Sequence, residues 1–173
     1  MGVPYQTQKG FTIVELLIVI VVIGILAAIV IVAYNGIQDR AQSSKRDADT
    51  NQYYQAILAA RIATGKTLRD ITGSSYSTGQ CISVASNPSG TEPKDLPKSH
   101  ACWTQYYDNL DKIGTAANMN LSSLRAGDTK GNPYTLDENE GESNCTTTDR
   151  MYYFRGSGIW YQQIKDIPLS GNC

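Results

Sequence analysis

Eighteen consecutive residues, Leu16 to Ala33, carry neither a charge nor a strong hydrogen-bonding side chain. At a rise of about 1.5 Å per residue, a helix of that length nearly spans a hydrocarbon core of about 30 Å. The run therefore reads as a membrane-spanning helix. Glu15 stands at its mouth, where an ionised carboxylate costs roughly 2.5 kcal/mol or more unless it is paired. The sequence nearby offers no evident partner. The ten residues ahead of Phe11 contain no apolar run and end in the polar stretch Gln6-Thr7-Gln8-Lys9 before Gly10. A cut before Phe11 would fall in front of the apolar segment, whereas a secretory signal is cut behind it, at a small-residue site.

Lys9-Gly10-Phe11-Thr12-Ile13-Val14-Glu15 followed by this apolar run resembles the amino terminus of type IV pilins. The likeness is close from Lys9 to about Tyr34 and general beyond. It implies a leader peptide over 1–10, cleaved between Gly10 and Phe11 by a prepilin peptidase that also methylates the new amine of Phe11. It further implies that Glu15, fifth in the mature chain, neutralises the Phe11 amine of a neighbouring subunit in a filament. The remaining implied partners are other copies of the chain, an assembly ATPase, a platform protein and the membrane; no surface ligand is indicated. The subunit would wait in the inner or cytoplasmic membrane with its head outside the cytoplasm, then join an extracellular filament serving adhesion, motility or DNA uptake. The span departs from many pilins in having Val32 where they carry a proline. Gly24 is its one weak point, costing about 1 kcal/mol relative to Ala, and Asn35-Gly36 softens its exit. Arg40, Lys45 and Arg46 follow the span closely, so the count of flanking positive charges does not orient it.

Gly36 is the last glycine before Gly65, and no proline lies between Ile37 and Ala63. Ile37, Ala41, Ala48, Gln52, Ala56, Ala59 and Ala63 recur at helical spacing, widened by Tyr53, Ile57 and Ala60, as a stripe suited to packing on a sheet. One helix from Thr12 to Thr64 is expected, about 80 Å long, with Gly65 as its C-cap. The fold class is α+β, a long helix on a small antiparallel sheet. Its divisions are a transmembrane, filament-core half (11–34), an amphipathic half (35–64) and a β-rich head (65–173).

Within the head, Cys81–Val84 suggests a strand, and Pro88 to Pro97 a polar loop. Tyr106, Tyr107, Leu110 and Ile113 form one face of a short helix ending at Gly114. Met151–Phe154, Arg155–Gly158 and Ile159–Gln162 read as a β-hairpin whose aromatics pack against the long helix. Asp128-Thr129-Lys130-Gly131-Asn132-Pro133-Tyr134 resembles a turn of type II secretion major pseudopilins that leads into the sheet beside a calcium loop. Asp128, Asp137, Glu138, Glu140 and Glu142 supply hard oxygen donors that suit calcium, but a solvated acidic turn is the favoured reading and no metal site is expected.

Four cysteines, Cys81, Cys102, Cys145 and Cys173, lack any Cys-x-x-Cys spacing, and His100 is the one histidine. An even number in an exported head favours two disulfides over zinc. Of three possible pairings, Cys81–Cys102 and Cys145–Cys173 are local, and the second would pin the carboxyl-terminal hairpin. Each would contribute roughly 3–4 kcal/mol in the chain-entropy picture. Pilins commonly carry a disulfide-bounded carboxyl-terminal region.

Several function classes fall away. Net charge is −1, and losing Lys9 with the leader changes 15 basic and 16 acidic residues to 14 and 16, or −2; this is no strongly basic nucleic-acid binder. Gly65-Lys66-Thr67 mimics the end of a phosphate-binding loop, but Ala60 holds the earlier glycine position and a helix precedes the turn. No catalytic constellation is legible, so no enzyme and no cofactor is expected. The sequons at Asn120 and Asn144 are short enough to arise by chance. A minor pilin or secretion pseudopilin, and a non-polymerising anchored binding module, are the alternative readings.

Overall fold

The computed structural model describes residues 10–74, 81, 91–140, 147–154 and 161–171. Two compact units divide the chain, residues 1–43 and 44–173. A single 52-residue helix, α1 (Ile13–Thr64), runs from the first into the second. It passes through Gly24 and Asn35-Gly36 without interruption; the ~1 kcal/mol cost of an interior glycine does not outweigh the cooperativity of a long helix. In the first unit the large apolar side chains from Phe11 to Ile31 are exposed. Among the described residues, α1 is the one helix long and apolar enough to cross a membrane, and its backbone bonds to itself, as lipid requires.

In the second unit α1 buries Thr50, Tyr53, Ala56, Ile57, Ala60 and Arg61. The anticipated stripe holds in its middle, where Ala56, Tyr53, Ile57 and Ala60 are buried and Gln52 and Ala59 half-buried, and fails at its ends, where Ile37, Ala41, Ala48 and Ala63 are exposed. Small residues fit either side of a helix, so the outlying alanines did not mark the face, whereas the bulky pair Tyr53 and Ile57 did. α1 stops at Gly65, whose φ of +66° lets its N–H reach the Arg61 carbonyl at 2.8 Å. A short helix, α2 (Leu68–Thr72), starts at once, with Thr67 Oγ1 accepting from the Asp70 N–H at 3.2 Å.

Helix α3 (Ala101–Ala117) is capped by His100, whose Nδ1 accepts from the Cys102 N–H at 3.2 Å. It does not end at Gly114; Asn118, with φ of +53°, closes it one turn later. Gly114 serves packing instead, since a Cβ there would lie 2.9 Å from the Met119 carbonyl. α3 buries Trp103, Tyr106, Leu110 and Ile113, while Tyr107 is half-buried. Trp103 Nε1 donates to the Pro93 carbonyl at 2.8 Å, and the Tyr106 hydroxyl to the Leu124 carbonyl at 2.5 Å. Both aromatics thus bury their polar atoms without leaving them unpaired.

Three antiparallel strands, β1 (Thr135–Asp137), β2 (Asp149–Phe154) and β3 (Tyr161–Ile167), lie in that order. Leu136 pairs with Met151, and Phe154 with Tyr161. The two anticipated runs therefore pair antiparallel, and the second strand continues to Ile167, beyond Gln162, while Arg155–Gly158, Ile159 and Trp160 lie outside the described residues. A register shift at Met151/Tyr152 interrupts the alternation. Leu136, Met151 and Ile167 meet Tyr53, Ile57 and Trp103 in one core. Burying each aliphatic side chain contributes about 1.5–3 kcal/mol. Cys81 is helical where a strand over 81–84 was anticipated, and the rest of that segment lies outside the described residues.

Gly127 precedes the turn into β1 with φ of +79° and ψ of −163°, a region open essentially to glycine alone. A Cβ there would lie 2.3 Å from the Asn132 carbonyl oxygen. Gly127→Ala should therefore destabilise the head by about 1–3 kcal/mol, read as a lower denaturation midpoint in near-ultraviolet circular dichroism. An unchanged midpoint would contradict this geometry.

Candidate functional site

The amino-terminal site begins in chain that is not yet helical. Gly10 and Phe11 are exposed and precede α1. A Cβ on Gly10 would meet nothing within 4 Å, so the fold itself does not demand glycine there. Thr12 and Glu15 then form a reciprocal cap. The Thr12 N–H and hydroxyl each donate to one Glu15 carboxylate oxygen at 2.8 Å, and the Glu15 N–H donates to Thr12 Oγ1 at 3.3 Å. This is a capping box, satisfying amide groups left orphaned at a helix start. The chain thus supplies a hydrogen-bonding partner that the sequence reading did not anticipate. The Thr-x-x-Glu spacing before an apolar run was the available signal. Hydrogen bonds leave the carboxylate charged, however, and no cation accompanies it among the described residues.

A second polar feature was missed. Arg61, Glu140 and Asp149 are all buried. The guanidinium pairs with Asp149 and lies 3.1 Å from Glu140. It also donates to the Pro168 carbonyl at 2.5 Å. Asp149 accepts from the Glu140 N–H at 2.7 Å. Glu140 accepts from the Ser170 N–H and hydroxyl, both at 2.7 Å. Burial pushes the Asp149 carboxyl above its ordinary range, opposed by the Glu140 N–H and Arg61, while the Glu140 charge pushes it further up. The cluster ties α1, the segment after β1, β2 and the chain after β3 together. Arg61 continues the i, i+4 series of Tyr53 and Ile57, and that spacing could have revealed it.

The candidate calcium ligands do not converge. Asp128 Oδ1 accepts from the Lys130 and Asn132 N–H groups at 2.8 and 2.9 Å. Burial raises its pKa, partly offset by those two N–H groups. Asp137 lies near the Tyr152 hydroxyl at 3.5 Å, Glu138 is buried, and Glu140 belongs to the Arg61 cluster. Glu142 lies outside the described residues. Among the described residues no three histidine, cysteine or carboxylate side chains form a metal-binding group. The seven-residue turn does lead into β1, as anticipated.

Cys81 and Cys102 are joined, with their Cα atoms 4.7 Å apart; Cys145 and Cys173 lie outside the described residues. Lys66 and Lys112 line a cleft of about 410 Å³ together with Asp70 and Asp111. The mixed signs create no field suited to a phosphate group.

Residues 5–31 match the family described as the prokaryotic N-terminal methylation motif. Over 122 residues the chain is 33% identical to the type IV major alpha-pilin of Moraxella bovis, covering 68% of this chain and 76% of that protein. It is 50% identical over 50 residues to the type IV major fimbrial protein FimA of Dichelobacter nodosus, covering 29% of this chain and 32% of FimA. It is 58% identical over 40 residues to the fimbrial protein EcpC of Eikenella corrodens, covering 23% of this chain and 26% of EcpC. The chain thus spans about a third or less of the length of these last two relatives. No solved structure matches it with comparable significance. A long apolar amino-terminal helix and a small antiparallel sheet make this an α+β protein of the pilin kind. The chain belongs to the type IV pilin family.

Proposed function

We propose that this chain is the structural subunit of a type IV pilus-like filament, released from its leader between Gly10 and Phe11 and polymerised through residues 11–34. The observation that carries this reading is the uniformly exposed apolar start of α1 with one carboxylate at its mouth. Removing such surface from water contributes about 25 cal/mol per Å², a driving force that outside lipid the same apolar stretch of other copies can satisfy. Likeness to one major alpha-pilin over 68% of the chain supports the same reading. Phe11 would be N-methylated, and its amine in one subunit would face Glu15 of the next. The subunit would wait in the cytoplasmic membrane with its leader inside and its head outside, then enter the filament by way of an assembly ATPase and a platform protein. Its role is structural rather than catalytic. Mass spectrometry of sheared surface filaments tests the reading: this chain should be abundant and begin at methylated Phe11. Absence from the filaments would overturn it.

Processing carries a sharper expectation. Because a Cβ at Gly10 meets nothing within 4 Å, Gly10→Leu should leave the head folded yet accumulate uncut in the membrane, with almost no filaments. Normal filaments from that variant would show that cleavage does not depend on this residue.

We also propose a second disulfide, Cys145–Cys173, beside Cys81–Cys102. Non-reducing peptide mapping of the secreted head should recover both linked pairs. Free thiols at 145 and 173 would refute the second.

A further inference from the structure

The chain leaves the sheet at Ile167, which is fully buried, and continues as Pro168-Leu169-Ser170-Gly171. None of these four residues buries an apolar side chain: Pro168, Leu169 and Gly171 are exposed and Ser170 is half-buried. Polar bonds fasten the segment instead. Arg61 donates to the Pro168 carbonyl, and Glu140 accepts from the Ser170 N–H and hydroxyl. A segment with few buried apolar contacts opens at a lower free energy than the core strands beside it.

The fastening is also unbalanced in charge. α1 brings one guanidinium, Arg61, whereas the segment after β1 brings Glu140 and β2 brings Asp149, and all three are buried. Residues 168–171 carry no ionisable side chain, and the neighbouring Arg150 faces Asp166 instead, at 3.9 Å. With both carboxylates ionised, the cluster therefore buries one negative charge in excess. Its hydrogen bonding is incomplete as well, since Arg61 Nε and Glu140 Oε2 are buried without a hydrogen-bond partner. Water admitted by an opening would satisfy both atoms and solvate the excess charge. One proton shared by the two carboxylates would instead cancel the excess with the segment still closed.

We infer that residues 168–171 form a proton-dependent strap, closed over Arg61 while the cluster holds one proton and opening when that proton is lost, with the sheet staying folded. The direction follows from Asp149. Burial and the Glu140 charge push its carboxyl above the ordinary range in the closed state, outweighing the Glu140 N–H and Arg61. An opened, hydrated cluster relaxes that shift. A group whose pKa is raised on closure favours the closed form most fully below its ordinary range. That contribution is lost as pH rises through the raised range. Arg61 and Glu140 stay paired in the closed, protonated form, so the strap keeps both of its fastenings there. The inference concerns the head alone and does not depend on the filament reading.

Residue-resolved amide hydrogen exchange of the full chain in detergent, corrected for the intrinsic pH dependence of exchange, tests this between about pH 4 and pH 8. The Ser170 amide should open more often than the amides of β2. Its opening constant should rise with pH by up to about tenfold per unit, the limit for one linked proton. The amides of β2 should show no matching rise. Asp149→Asn removes the titrating carboxyl and leaves Arg61 and Glu140 balanced, so the rise should be lost. Should that variant fail to fold, the profile of the parent chain alone decides. Ser170 exchanging only together with β2 would overturn the strap as a separate unit. Opening that stays constant or falls as pH rises would overturn the proton dependence, and so would a rise that persists in Asp149→Asn.

Discussion

Arg61→Met should destabilise the head by about 3–5 kcal/mol, the usual consequence of breaking a buried ion pair by removing one partner. Glu140 and Asp149 would lose their shared cation while remaining buried. Methionine fills much of the space but offers no hydrogen to either carboxylate, or to the Pro168 carbonyl that Arg61 also serves. The loss would be local in origin and wide in effect, because the same cluster fastens Ser170 through Glu140. Chemical denaturation of the detergent-solubilised chain, followed by near-ultraviolet circular dichroism, measures this without interference from the helical signal of α1. A triple variant, Arg61→Met with Glu140→Gln and Asp149→Asn, should recover part of the loss, since neutral amides cost far less to bury than unpaired charges. A single-variant loss below about 1 kcal/mol would place the cluster among solvent-screened pairs, whose worth is of that order.

The parts of this fold legible in the sequence are those fixed by local chemistry. α1 could be bounded because nothing between Ile37 and Ala63 breaks a helix and Gly65 supplies the left-handed turn that ends it. The β2–β3 pairing was legible because two aromatic runs flank a glycine-containing turn sequence. What failed was information held by the tertiary structure. Which side of α1 meets the head could not be read from alanines, which are tolerated on either side. Gly114 looks the same as a helix terminator and as a place where Met119 and Leu121 approach closely. The acidic residues read as candidate calcium ligands were counted without Arg61, which is seventy-nine positions before Glu140 in the chain. Asp128 could have been recognised as serving its own turn, since an Asx side chain commonly accepts from the N–H two residues on. The amino-terminal site was legible as a sequence, but the Thr12 cap on Glu15 was overlooked, although its spacing was in plain view.

Glu15→Ala should be cleaved from its leader, keep a folded head and reach the membrane, yet enter filaments poorly. Two distinct effects predict that loss, and substitution separates them. The carboxylate accepts from the Thr12 N–H and hydroxyl and so completes the first turn of α1; losing such a cap costs about 1 kcal/mol. It also remains a charge without a counter-charge beside an apolar span. Such a charge is tolerable in a packed helical core only where a cation meets it, and the proposed cation is the Phe11 amine of the neighbouring subunit. Glu15→Gln distinguishes the two, because its amide oxygen can still accept from Thr12 but cannot neutralise an amine. If pairing governs assembly, Gln should fail nearly as completely as Ala. Asp, shorter by one methylene but still charged, should be intermediate at best. If capping alone governs it, Gln should assemble like the parent, and Thr12→Val should reproduce the Glu15→Ala defect. The measurement is the filament-to-membrane ratio for each variant, with cleavage of the leader scored in the same membranes. Efficient assembly of Glu15→Ala would remove the carboxylate from the docking mechanism altogether.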